Sequence, residues 1–253
     1  MKIFVASTGR CGTYFMTKVF QQFTNIPSFH EGIPKCINAV LEDVNTGTGI
    51  QSQSTQTVLK KKVGVITECS VDGKYFESNH MFIKSFYREV LDTFNDVCCI
   101  YLHRNLLDVL ISFSQLPNHQ QLDWLLQSHW RGNILRTREP LSNYQNIAWN
   151  WFEVRERFAQ FRGYFYKTWD MSFENLNSPK EWARMFDHFG IKAKPEFYKL
   201  KEFPKDLEKN DLVAKEGKPA EELLKGVRKN WNKTFSKGWL FPTDISKLEE
   251  EKK

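Results

Sequence analysis

Short apolar runs alternate with amphipathic stretches along most of this chain. The clearest run covers residues 97–102 and is apolar at every position, as expected for a strand that is buried on both faces. Further short strands are predicted over residues 2–7, 27–30, 75–78 and 164–169. Strands that alternate with helical segments predict βαβ units, and therefore an α/β fold with a central, mainly parallel sheet flanked by helices.

Helical periodicity is present between these strands. The predicted helices cover residues 14–23, 81–94, 106–116, 121–138, 143–161 and 179–189. Residues 45–62 are rich in Thr, Gly, Ser and Gln, show no apolar period and predict a long mobile loop or a lid, while residues 245–253 predict a frayed tail. Because no repeat or linker divides the chain, residues 1–253 are expected to form a single domain.

The composition limits the class of protein. Apolar residues make up 41% and charged residues 26%, which is typical of a globular chain. The net charge of +6 favours an anionic partner without distinguishing a nucleotide from a nucleic acid. No basic stripe is interleaved with aromatic residues and no run of about 18 apolar residues occurs, so neither a nucleic-acid partner nor a membrane span is expected.

The cysteines and the first residues bear on the compartment. The five cysteines are odd in number and none lies in a CxxC pair, which argues against a disulfide framework or a zinc site. No other metal-ligand spacing occurs. Residues 1–6 lack the length and cleavage pattern of a signal peptide. These features predict a cytoplasmic protein without a bound metal.

A glycine-containing turn joins the first predicted strand to the first predicted helix. Gly9 and Gly12 let the backbone approach an anion at a helix N-terminus, where N–H groups are exposed. Arg10 adds a positive charge and Thr13 a hydroxyl donor. No Lys-Ser/Thr pair follows Gly12, and a magnesium-dependent nucleoside triphosphatase would need one. The turn therefore predicts a phosphate site without a metal partner.

A second anion-binding element follows the strand at residues 97–102. Arg104 stands just beyond that strand, where open α/β sheets place their ligands. Ser112 lies eight residues later, about two helical turns along the next helix. Together they are candidates for holding a second phosphate. The alternative is a structural ion pair between Arg104 and Asp108.

With both elements in place, the chain resembles the sulfotransferases that use 3′-phosphoadenosine 5′-phosphosulfate (PAPS). Residues 7–15 (STGRCGTYF) resemble the family's 5′-phosphosulfate loop, and residues 100–112 resemble its 3′-phosphate motif. Residues 171–176 resemble its Tyr-Glu-Asp-Leu segment, and residues 189–191 its Phe-Leu-Gly-Ile segment. The four segments occur in the family's order from residue 3 to about residue 192.

The resemblance implies a P-loop nucleoside-triphosphate-hydrolase-like sulfotransferase fold, with PAPS as the co-substrate and no metal. Tyr14 replaces the second threonine of the family's loop, and the segment around Arg228 lacks the family's glycine, so surface charge is the alternative role there. The residues implied to bind the nucleotide are Gly9, Arg10, Cys11, Gly12, Thr13, Tyr14, Arg104, Ser112, Arg228 and Lys229.

Sulfuryl transfer resembles phosphoryl transfer, so positioning and charge stabilisation are expected to dominate, with Arg10 acting on the leaving group. The acceptor must also lose a proton to a base. His80 lies 24 residues before Arg104, close to the position of the catalytic histidine in cytosolic sulfotransferases. Residues 29–34, with His30 and Glu31, resemble the element that carries a glutamate base in carbohydrate- and protein-directed members. The sequence does not choose among these three.

The expected function is transfer of a sulfuryl group from PAPS to a hydroxyl or amine of a small-molecule acceptor, such as a secondary metabolite. Alternatives are a P-loop nucleotide kinase or triphosphatase, a carbohydrate-directed sulfotransferase, a nucleic-acid-binding module and an inactive nucleotide binder. Whether the protein forms a homodimer is not decided by the sequence. Five aromatic residues are candidates for core packing, with one or two lining the acceptor pocket: Trp124, Trp130, Tyr144, Trp149 and Trp151.

Overall fold

A computed structural model describes residues 1–34, 36, 53–114, 134, 143–204 and 207. One sheet contains all five strands, in the order β2-β3-β1-β4-β5, and every neighbouring pair is parallel. The strands are β1 (Lys2–Ala6), β2 (Ser28–His30), β3 (Tyr75–Ser78), β4 (Val97–His103) and β5 (Lys167–Ser172). The prediction of an α/β fold around a parallel sheet is confirmed.

Six α-helices lie in the described ranges. They are α1 (Thr13–Phe23), α2 (Gln53–Glu68), α3 (Tyr87–Thr93), α4 (Leu106–Ser114), α5 (Asn143–Phe161) and α6 (Pro179–Phe189). A five-residue π-helix, Phe82–Phe86, leads directly into α3. Each strand of the sheet is therefore joined to the next through at least one helix, as βαβ connections require.

Two helices cover opposite faces of the sheet. The ring of Phe20 in α1 stacks on Phe76 of β3 at 3.7 Å between centroids, whereas Lys62 in α2 lies 2.7 Å from Glu77, the next residue of that strand. Successive side chains of a strand point to opposite faces, so α1 and α2 must lie on different sides. Helix α6 shares the α1 face, since Phe186 lies 5.5 Å from Phe20 between centroids.

The strand order places a topological switch point between β1 and β4. From β1 the chain passes to the edge strand β2, whereas from β4 it passes to β5 on the opposite side. The two strands are neighbours, with Ala6 opposite Tyr101 at their carboxyl ends. Open α/β sheets bind their ligands at such a point. The loops that begin there carry Arg10 and Arg104.

The predicted loop at residues 45–62 is wrong over residues 53–62, which form the first part of α2. The buried face of this helix contains Thr55, Leu59, Lys62 and Ile66, at helical spacing. Only two of these four residues are apolar, so no apolar period was visible in the sequence. Residues 45–52 lie outside the described part of the chain.

Other boundaries also differ from the prediction. Strand β5 begins at Lys167 rather than at residue 164, because Arg162–Tyr164 form a 3-10 turn. The predicted helix over residues 81–94 is interrupted at its start by the π-helix. The predicted helix at 121–138 and the predicted tail at 245–253 lie outside the described residues.

Two further expectations concern disulfide bonds and membrane spans. All five cysteines are free, and Cys98 and Cys99 are fully buried in β4. Of the helices that the structure describes, none is both long and apolar enough to cross a membrane.

Candidate functional site

The loop between β1 and α1 has an unusual backbone. Gly9, Arg10 and Gly12 all have φ values in the left-handed region, at 88°, 58° and 89°. A Cβ atom added to Gly12 would lie 2.4 Å from Cδ1 of Leu176, so a side chain there would require Leu176 to shift. Gly12 is also the residue immediately before α1, whose first N–H groups lack partners within the helix. The loop thus brings backbone amides and a helix N-terminus together, as anion sites require.

Two side chains of this loop face its interior. The Thr8 hydroxyl donates a hydrogen bond to the carbonyl oxygen of Gly9 at 2.9 Å and lies 3.1 Å from the Cys11 Sγ atom. The Cys11 thiol donates to the same carbonyl oxygen at 3.2 Å. Burial raises the pKa of the Cys11 thiol, which keeps it protonated. The Cys11 side chain therefore stabilises the loop, and only its backbone is suited to an anion.

Two arginines meet where β1 and β4 end. Nη1 of Arg104 donates to the carbonyl oxygen of Arg10 at 3.2 Å, and Nε of Arg10 donates to Oγ of Ser112 at 3.0 Å. The Arg104 guanidinium also lies over the ring of Phe173, 4.1 Å from its centroid. The structure thus brings Arg10, Arg104 and Ser112 together, with Arg10 in contact with each of the other two.

Within the described part of the chain, no carboxylate forms an ion pair with either of these two arginines. Burial and the nearby charge of Arg104 lower the pKa of Arg10. Nε of Arg104 is buried and has no hydrogen-bond partner in the described part of the chain. The structure shows no ion pair between Arg104 and Asp108, although both residues are described, so the alternative role predicted for Arg104 is wrong. Two adjacent cations and an unsatisfied buried donor are features of an anion site.

The three candidate bases lie together beside this loop. Oε1 of Glu31 is 3.5 Å from Nε2 of His80 and 3.9 Å from Nε2 of His30. Glu31 follows β2 directly and adopts a left-handed φ of 49°, while His80 follows β3. Because β2 and β3 are parallel neighbours, the two residues meet at the same edge of the sheet. We name Glu31, His80 and His30 the proton-transfer cluster.

His30 is anchored by hydroxyl groups. Its Nδ1 atom lies 2.9 Å from Oγ of Ser78, which in turn lies 2.6 Å from Oγ1 of Thr17. The ring of Tyr14 meets the His30 ring edge to face at 5.4 Å between centroids. Tyr14, which the sequence assigned to the nucleotide, therefore also packs against the proton-transfer cluster.

The sequence did not identify two polar residues that join the loop between β1 and α1, the candidate anion loop, to the core. Lys84 is fully buried in the π-helix, and its Nζ atom donates to the carbonyl oxygen of Thr8 at 3.1 Å. The same atom lies 3.3 Å from Nδ1 of His80. Asn150 of α5 donates to the Thr8 carbonyl oxygen from the other side, at 3.2 Å. The available signal for Lys84 was a single charge within an otherwise largely apolar run over residues 81–86.

A buried ion pair supports the backbone next to Glu31. Nζ of Lys62 donates to Oε1 of Glu77 at 2.7 Å and to the carbonyl oxygen of Gly32 at 2.6 Å. The Tyr75 hydroxyl donates to the other oxygen of Glu77 at 2.7 Å. Burial and the Glu77 charge raise the pKa of Tyr75, so its hydroxyl remains a donor. Helix α2 thereby holds the carbonyl group of Gly32, the residue after Glu31.

Two of the aromatic residues singled out in the sequence have defined roles. Trp149 is buried in the core, whereas Nε1 of Trp151 donates to the carbonyl oxygen of Arg104 at 2.8 Å. Trp151 thus supports the anion site. The remaining predicted residues fall outside those whose side chains the structure describes: Arg228, Lys229, Trp124, Trp130 and Tyr144.

Within the described ranges, no group of three or more His, Cys, Asp or Glu side chains could hold a metal ion. The expectation of chemistry without a metal stays a prediction.

No protein-family model matches this chain, and no curated protein matches it.

Proposed function

We propose that this protein transfers a sulfuryl group from PAPS to a hydroxyl or amine of a small-molecule acceptor and releases adenosine 3′,5′-bisphosphate. One observation carries the proposal: Arg10 and Arg104 converge at the switch point between β1 and β4, next to a cluster of three candidate bases. An anion site beside a proton acceptor is what group transfer from an anionic donor to an O–H or N–H group requires.

The residues present fit the nucleotide. The left-handed glycines Gly9 and Gly12 allow the backbone to approach the 5′-phosphosulfate, and Arg10 supplies its positive charge. Arg104 and Ser112 would hold the 3′-phosphate, and the unsatisfied Nε atom of Arg104 offers a donor for it. The central parallel sheet with this loop after β1 is consistent with the P-loop sulfotransferase fold that the resemblance implies.

The proposed reaction is an in-line displacement. The acceptor oxygen or nitrogen forms a bond to sulfur while the bond from sulfur to the bridging phosphate oxygen breaks, and the acceptor proton passes to the proton-transfer cluster. Arg10 stabilises the charge that grows on the leaving bisphosphate. When PAPS is bound it supplies the activated sulfuryl group, and the protein positions the reactants.

The alternative of a P-loop kinase or triphosphatase receives less support. No lysine and hydroxyl pair follows Gly12, and Thr13 and Tyr14 occupy the positions where that pair would stand. The arrangement of two arginines instead suits a ligand with two separated anionic groups.

Calorimetric titration with adenosine 3′,5′-bisphosphate, AMP and ATP-magnesium in parallel tests the proposal. We expect the bisphosphate to bind much more tightly than AMP, because AMP lacks the 3′-phosphate. Binding of ATP-magnesium without binding of the bisphosphate would overturn the proposal in favour of a kinase. If the bisphosphate binds, incubation with sulfur-35-labelled PAPS and a panel of phenols, alcohols and amines should give a labelled product.

A further inference from the structure

Lys84 contacts both the anion loop and the proton-transfer cluster. Its Nζ atom donates to the carbonyl oxygen of Thr8 at 3.1 Å and lies 3.3 Å from Nδ1 of His80. The side chain is fully buried. A lysine without exposure to solvent needs partners of this kind, because burial without them is costly.

A second pair of residues holds the π-helix that carries Lys84. Nη1 of Arg157 donates to the carbonyl oxygens of Ile83 and Lys84, each at 3.2 Å, and Nε of Arg157 donates to Glu153 at 2.7 Å. Arg157 and Glu153 belong to α5 and are both fully buried. Short π-helical segments are frequent at functional sites because they place side chains that a regular helix would not. Here the segment brings Lys84 under His80.

The two ring nitrogens of His80 have different surroundings. Nδ1 faces the amine of Lys84 at 3.3 Å, whereas Nε2 faces the carboxylate oxygen of Glu31 at 3.5 Å. An ionised carboxylate only accepts hydrogen bonds, and an amine carries N–H donors in either charge state. A neutral imidazole with its proton on Nε2 satisfies both neighbours. The opposite tautomer would place a lone pair of Nε2 against the carboxylate.

We propose that Lys84 is a positioning residue that holds His80 as the Nε2–H tautomer. In this state His80 already carries a proton on the nitrogen that faces Glu31, so it donates to the carboxylate and does not receive the acceptor's proton. The acceptor O–H or N–H bond breaks as the O–H bond to Glu31 forms. This last step rests on the proposed sulfuryl transfer, whereas the tautomer does not.

The charges and hydrogen-bond donors around the cluster agree with this placement of the protons. Glu31 lies between His80 and His30. Burial lowers the pKa of Lys84, and the negative charge of Glu31 opposes that shift only in part. In either charge state the N–H groups of Lys84 at the Nδ1 end of His80 and the carboxylate at its Nε2 end both favour the proton on Nε2. Of His80 and Glu31, it is then the carboxylate of Glu31 that can accept a further proton.

Nitrogen-15 NMR of histidine-labelled protein tests the tautomer without any activity measurement. Long-range proton–nitrogen spectra at neutral pH should show His80 with a protonated Nε2 and an unprotonated Nδ1, with its signals assigned by their loss in His80→Gln. His188, which is exposed on α6, serves as a reference histidine outside the cluster. A proton on Nδ1 alone, or protons on both nitrogens, would overturn the inference.

Variants separate this inference from the proposed function. In Lys84→Met the His80 signals should move toward an average of the two tautomers, while the His188 signals stay unchanged. Turnover with PAPS should fall by about 100-fold, because His80 no longer orients Glu31. Since Lys84 also contacts Thr8 of the anion loop, the Kd for adenosine 3′,5′-bisphosphate is measured in the same variant, and a fall in turnover that the change in Kd fully accounts for would overturn the positioning role. Glu31→Gln should lower kcat by about 100- to 10,000-fold.

The outcomes are distinguishable. An Nε2–H tautomer in a protein that neither binds the bisphosphate nor transfers sulfate would refute the proposed function and leave the role of Lys84 intact. PAPS-dependent turnover that survives in Glu31→Gln and is lost in His80→Gln would refute the assignment of the proton to Glu31 alone.

Discussion

Nη1 of Arg104 donates a 3.2 Å hydrogen bond to the carbonyl oxygen of Arg10, a residue 94 positions earlier in the chain. Two positively charged residues are thereby held together by a backbone contact. Because the two like charges repel each other, the arrangement gains most stability when an anion binds between or beside the two side chains. This relationship supports the placement of the nucleotide at the end of β1 and β4.

Replacing Arg104 should weaken nucleotide binding. Arg104→Gln removes a charge-assisted contact worth about 1.5–3 kcal/mol, so the Kd for adenosine 3′,5′-bisphosphate should rise about 10- to 150-fold by calorimetry. Arg184→Gln is the matched control, because Arg184 is an exposed arginine on α6 that pairs with Glu181. Equal losses in the two variants would show that the effect reflects net charge and not a site.

Gly12 should tolerate no side chain. Gly12→Ala combines a φ of 89° with a 2.4 Å approach to Leu176, and the backbone strain alone should cost about 1–3 kcal/mol in the free energy of unfolding. Gly64→Ala is the control, since Gly64 lies within α2 and an added Cβ meets nothing within 4 Å. That change should stabilise the protein by about 0.5–1 kcal/mol in chemical denaturation. A Gly12→Ala protein as stable as the parent would contradict the described loop.

Breaking the ion pair between Lys62 and Glu77 should lower the free energy of unfolding substantially. Both side chains are fully buried, so Lys62→Met leaves the Glu77 carboxylate without its cation and should cost about 3–5 kcal/mol in chemical denaturation. The exposed neighbour Lys61 provides the control, with a change within about 0.5 kcal/mol for Lys61→Met. The double variant Lys62→Met/Glu77→Gln should recover part of the loss, and no recovery would show that the cost comes from the other contacts of Lys62, such as that with the Gly32 carbonyl oxygen.

The stability effect of Lys84 should depend on pH. Burial lowers the pKa of Lys84 well below 10.5, so between its folded pKa and 10.5 the unfolded chain binds more protons than the folded one. The stability of the parent therefore rises with pH in this window. Lys84→Met removes this dependence, so the Tm of the parent should rise relative to that of the variant as the pH rises toward 10.5. A Tm difference that is constant across this range would contradict the depressed pKa.

Sequence patterns alone were enough for the α/β class and for most strands. An apolar run such as residues 97–102 can only be accommodated where both faces are covered, and the alternation of such runs with helices requires parallel connections. The positions of Gly9, Gly12 and Arg10 between a strand and a helix likewise follow from local order, because the residues are close in the chain. The left-handed loop after β1 agrees with that reading.

The convergence of Glu31 with His80, and the burial of Lys62 and Lys84, depended on the tertiary structure. The buried face of α2 carries a lysine that local periodicity treats as a surface residue, which is why a loop was predicted there. A buried charge is stable only through partners from other elements, such as Glu77 for Lys62 and the Thr8 carbonyl oxygen for Lys84. Local patterns record which residues are apolar but not which distant groups will compensate a charge, so only the folded chain decided these contacts.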